Sequence, residues 1–108
     1  MIAWESGAMI DGMSDEFETW LDAFDLMYSA LPARGATPCP DCGGTTLHLV
    51  FTGDPRSRRA YAQLWCEKCV RGIHVSQTVV PTGVPMNDYR MPREERPHQA
   101  PDFVLIQP

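Results

Sequence analysis

Residues 39–69 read CPDCGGTTLHLVFTGDPRSRRAYAQLWCEKC, and the architecture follows from them. It opens on Cys39-x2-Cys42 and closes on Cys66-x2-Cys69, with 23 residues between the pairs. Two residues between cysteines let both thiolates face one ion from a tight turn. Two such turns at the base of a hairpin supply four soft ligands in a tetrahedron, the arrangement zinc prefers. Gly43 suits a turn that needs positive φ, because glycine has no Cβ to clash there. After it, TTLHLVF over residues 45–51 alternates as a strand, and Gly53-Asp54-Pro55 breaks it. AYAQLWC over 60–66 makes a second strand, and a third is expected from about Gly72 to Val80. Short strands joined by turns predict an antiparallel meander.

Four thiols have uses other than holding a metal. A disulfide framework belongs to oxidising compartments. The first residues show no basic start followed by an apolar stretch, and no base precedes Arg34. No secretory signal is therefore expected, and the expected location is the cytoplasm, where thiols stay reduced. A dithiol redox pair uses one C-x-x-C at a helix start, whereas both pairs here abut strands. Iron held by the same four sulfurs remains an alternative to zinc. Four thiolates close a tetrahedral site, so the metal is expected to be structural rather than catalytic.

The segment Cys39-Pro-Asp-Cys42-Gly43 … Cys66-Glu-Lys-Cys69 resembles the zinc-ribbon superfamily, whose first turn is commonly C-P-x-C-G. The resemblance covers roughly residues 37–80, under half of the chain. It implies a three-stranded sheet with one structural Zn2+ on Cys39, Cys42, Cys66 and Cys69. In the second turn Val70, not Gly, follows Cys69, and Gly72 comes two residues later. The superfamily spans transcription and translation factors, enzyme subunits and protein-docking modules, so it names an architecture rather than an activity.

Outward from the ribbon the chain changes character. Its 108 residues are one domain's worth, with 44% hydrophobic and 21% charged residues, ordinary globular values. The net charge of −5 excludes a bulk nucleic-acid coat and a membrane-surface binder. The charge is uneven: residues 1–33 hold seven acids and no Lys or Arg, while residues 34–80 hold six bases and three acids. Residues 1–13 lack a clear period and read as a flexible arm. Ser14 before Asp15 and Glu16 signals a helix start. From there Phe17, Trp20, Leu21, Phe24, Met27, Tyr28 and Leu31 recur every three or four residues, an apolar stripe on an acidic amphipathic helix over 14–31. Pro32 ends it. The stripe can pack on the ribbon, the default, or present Phe17, Trp20 and Phe24 to a partner. Residues 81–108 hold six of the ten prolines and read as an extended tail. Its apolar end, PDFVLIQP, has the composition of an edge strand or a docking segment. No run of apolar residues is long enough to span a membrane.

The fold class expected is thus small α+β: an N-terminal helix, a three-stranded antiparallel ribbon and a Pro-rich tail. Arg56, Arg58 and Arg59 fall at the hairpin tip, where three bases either touch phosphate or form a solvated loop. Tyr61 and Trp65 share one side of their strand and either cover the sheet or stack bases. His48 should face away from Leu47, Leu49 and Phe51. His74, five residues past Cys69, belongs near the metal or on the surface, and His98 in the solvated tail. No nucleophile–base pair and no phosphate loop stands out. The leading expectation is a non-enzymatic accessory or adaptor protein that binds a protein partner. The alternative is a nucleic-acid-associated transcription or translation factor using its basic tip. The sequence leaves the oligomeric state open.

Overall fold

Ser14 and the acids behind it start the first described element as the sequence requires. In the computed structural model, which describes residues 14–32 and 37–108, helix α1 runs Asp15–Ala30. The Ser14 hydroxyl accepts the Phe17 amide at 3.1 Å, and Asp15, Glu16 and Glu18 occupy the first turn, at the positive end of the helix dipole. The expected arm, residues 1–13, lies outside the described residues.

The apolar stripe faces inward. Phe17, Trp20 and Phe24 are exposed by only 7%, 0% and 6%. The reading that offers these three residues to a partner is therefore corrected. Two thiols, Cys39 and Cys66, and the apolar face of the sheet already occupy the place such a partner would take. The Tyr28 hydroxyl donates to the Val79 carbonyl and fixes the far end of α1 on the sheet.

The sheet is built around the expected meander, with strands β1 (Leu47–Gly53), β2 (Arg59–Cys66) and β3 (Arg71–Val79). β1 pairs antiparallel with β2, Leu49 opposite Leu64 and Phe51 opposite Ala62. β2 pairs antiparallel with β3, Leu64 opposite Ile73. Alternation then places Leu47, Leu49, Phe51, Ala62, Leu64 and Ile73 on the face beneath α1. Gly72 lies across from Trp65, and a Cβ there would come within 2.2 Å of the Leu64 carbonyl oxygen. Only glycine permits that approach.

The expectation of three antiparallel strands followed by an extended tail is corrected by the order β4-β1-β2-β3-β5, a five-stranded mixed sheet. The tail supplies both outer strands. β4 (Asn87–Asp88) runs parallel to β1, and β5 (Val104–Leu105) runs parallel to β3. Proline at 85, 92, 97 and 101 keeps each to two residues. The tail is held by specific anchors. Ile106 is 4% exposed and donates its amide to the Gly72 carbonyl at 2.8 Å. Asn87, 1% exposed, gives its side-chain amide to the His98 carbonyl at 2.8 Å and accepts the His98 amide at 3.0 Å. Between β4 and β5 lies a short 3-10 turn, Arg93–Glu95.

Candidate metal centre

Two matching turns bring the four cysteines together. In the first, the Gly43 amide donates to the Cys39 carbonyl at 2.9 Å with Gly43 at φ +75°. In the second, the Val70 amide donates to the Cys66 carbonyl at 2.9 Å with Val70 at φ 56°. Val70 thus adopts the left-handed conformation that glycine takes in the first turn. The two turns are also joined directly, by the Glu67 amide donating to the Thr46 carbonyl at 3.0 Å.

The four Sγ atoms of Cys39, Cys42, Cys66 and Cys69 lie within 4.8 Å of one another. Four sulfurs each about 2.3 Å from a zinc ion would be about 3.8 Å apart in a tetrahedron. The Cys39–Cys69 and Cys42–Cys66 separations of 3.7 and 3.6 Å match that edge. The donor set and its spacing fit a tetrahedral metal ion. The cluster is unequally buried: Cys39 and Cys66 belong to the hydrophobic core, Cys69 is half-buried and Cys42 is exposed.

The surroundings differentiate the thiols. Burial pushes Cys39 up to about 12 and also raises Cys69. Burial acts upward on Cys66 too, but the Thr46 hydroxyl, 3.1 Å from its sulfur, and the amides of Cys69 and Lys68 outweigh it and bring the thiol down to about 6. The Asp41 amide points at the Cys39 sulfur at 3.4 Å and the Cys69 amide at the Cys66 sulfur at 3.5 Å. Such donors stabilise sulfur as thiolate, the form that ligates metal. A bound cation would displace the remaining thiol protons.

The turns are braced from outside. Arg71 at the start of β3 bridges Glu16 on α1, at 2.7 Å, and Asp41 in the first turn. His48 Nε2 lies 2.7 Å from the Glu67 carboxylate in the second turn. The His48 ring stacks on Trp65 at 5.3 Å, and Phe103 stacks beside Trp65 at 6.1 Å. Trp65 is consequently buried under the chain's own groups, not open to a base. Tyr61 is half-buried; its hydroxyl accepts from Arg96 at 3.2 Å and its ring meets His74 at 5.0 Å. His74 and His98 are exposed and stand outside the thiol cluster.

The three tip arginines separate. Arg58, at φ 66°, donates to the carbonyls of Pro81 and Val84 at 2.8 and 2.7 Å, and to Val80 at 3.4 Å. Arg56 and Arg59 are exposed. Sequence reasoning missed Thr46, Arg71, Glu67 and Asn87, whose partners are distant in the chain and carry no spacing signal.

Among the described residues no helix is long and apolar enough to cross a membrane. No family profile matches the chain, and neither a curated protein nor a solved structure is significantly similar to it.

Proposed function

We propose that the protein is a non-enzymatic, zinc-dependent accessory or adaptor that binds a protein partner in the cytoplasm, the metal being structural. One observation carries this reading: four thiols at tetrahedral spacing, two of them inside the core. Such a set closes the coordination sphere and leaves no position for a substrate, while metal binding supplies folding energy. The ion is zinc rather than iron in this reading, and it cements the two turns to the helix and the sheet. The partner-binding surface lies away from the α1 stripe, which the core consumes. Support for the nucleic-acid alternative is thinner, since carbonyls already hold the Arg58 guanidinium.

Native mass spectrometry of the untagged protein isolated from its host tests the proposal. The expected mass is the chain plus one zinc less the thiol protons, in a salt-resistant complex with a protein that rebinds when purified. A bare chain, a disulfide-bearing chain or a coloured, redox-active iron form overturns the structural-zinc reading. Co-isolation with nucleic acid, lost at high salt and on substitution of Arg56 and Arg59, overturns the adaptor reading.

A further inference from the structure

A cleft of about 730 Å³ opens at the hairpin-tip end of the sheet. It spans the end of β1, the start of β2, the end of β3 and Tyr89 just past β4. Its volume falls within the range of about 300–1,000 Å³ typical of ligand sites. A bulge shapes it: Ala60 faces Thr78 and Ala62 faces Val75, so Ser76 and Gln77 together oppose Tyr61. Bulges re-aim side chains and interrupt pairing.

The wall combines Tyr61, Tyr89, Arg59, Gln77 and Thr78. Tyrosine and arginine are enriched at protein interfaces, lysine and glutamate are depleted, and no lysine or glutamate is found among the described residues of this lining. Its described lining carries one base, Arg59, and one carboxylate, Asp54. Among the described residues the Arg59 guanidinium forms no hydrogen bond or ion pair. Among the described residues Arg96, outside the lining but bonded to both tyrosines, donates to neutral oxygens: the Tyr61 hydroxyl at 3.2 Å and the carbonyls of Met91 and Tyr89 at 3.0 and 3.3 Å. Asp54 forms no ion pair with Arg59 among the described residues, and its carboxylate accepts the Arg56 amide at 2.9 Å.

We infer that this cleft receives an acidic, extended segment of the partner protein, a carboxylate seated on Arg59 and the segment lying between Tyr61 and Tyr89. The inference rests on the adaptor reading and gives its partner a chemistry. A guanidinium with no acid partner among the described residues is ready for bidentate pairing with a carboxylate.

The test uses the full zinc-loaded chain labelled with nitrogen-15 and three probes: hexaglutamate, hexaglutamine and a short oligothymidylate. Hexaglutamate should shift the amides of Arg59, Tyr61, Gln77, Thr78 and Tyr89, and hexaglutamine should not. Arg59→Glu should weaken hexaglutamate about tenfold or more, and Tyr89→Ala about threefold, while Arg56→Glu, the same charge change outside the cleft wall, should cost less than about threefold. Tyr89 is 54% exposed, so its removal leaves the fold intact. Absence of shifts at the cleft, equal loss from both arginine variants, or oligothymidylate producing the same shifts at lower concentration overturns the inference. A purified protein partner that binds Arg59→Glu undiminished overturns it too, yet leaves the adaptor reading standing.

Discussion

Val70 and Gly43 close equivalent turns, but a β-branched residue at φ 56° is strained where glycine is not. Val70→Gly should therefore raise the stability of the metal-loaded protein by about 1 kcal/mol, after allowing for the greater freedom glycine has when unfolded. Urea denaturation checks this, and a loss of stability would show that the side chain contributes more than its strain costs. Trp20 offers a second contrast. It is fully buried, and its Nε1 is the one buried side-chain nitrogen or oxygen among the described residues with no hydrogen-bond partner. Trp20→Ala should cost about 3–5 kcal/mol through the cavity it leaves. Trp20→Phe should cost far less, because the indole N–H it deletes has no acceptor to lose. At this scale the cysteines were legible because ligand type and spacing are local properties of the chain. The conformation of Val70 was visible only as a departure from the glycine pattern. Asn87 was not visible at all, since a buried amide that clamps the His98 backbone looks like any turn asparagine in sequence.

Among the elements, α1 and the three meander strands were readable because period 3.6 and period 2 are strong signals over seven or more residues. Expected and observed bounds differ by two residues at most for α1 and for the ends of β1. β4 and β5 carry no such signal, being two residues long and paired in parallel to strands distant in sequence. Proline density pointed to an extended tail but did not show that two short strands lock it down. The docking of β5 rests on Ile106, so Ile106→Ala should destabilise the protein by about 2–4 kcal/mol and expose Trp65 by loosening Phe103. Tryptophan fluorescence and urea midpoints measure both effects. An unchanged midpoint would mean that β5 is held by its backbone bonds alone.

For the molecule as a whole, two of the four thiols lie in the core, so a metal ion held by them would be tied to folding. Zinc binding in small modules is worth on the order of 10 kcal/mol, as large as the entire stability of an ordinary domain. Chelation should therefore abolish the cooperative thermal transition, as followed by circular dichroism; full retention of the sheet after chelation would contradict the proposed role. Cys39→Ser and Cys66→Ser should be more damaging than Cys42→Ser, because they alter side chains packed in the core while Cys42 faces solvent. The Ser14 hydroxyl, described above as the helix cap, also donates to the Gln107 carbonyl at 3.1 Å. One oxygen is thus a hasp between positions 93 residues apart in the chain. Fraying of the helix's first turn and release of the chain just past β5 both break this bond. In hydrogen exchange the amides of Phe17 and Ile106 should open at one common rate, and Ser14→Ala should release both together.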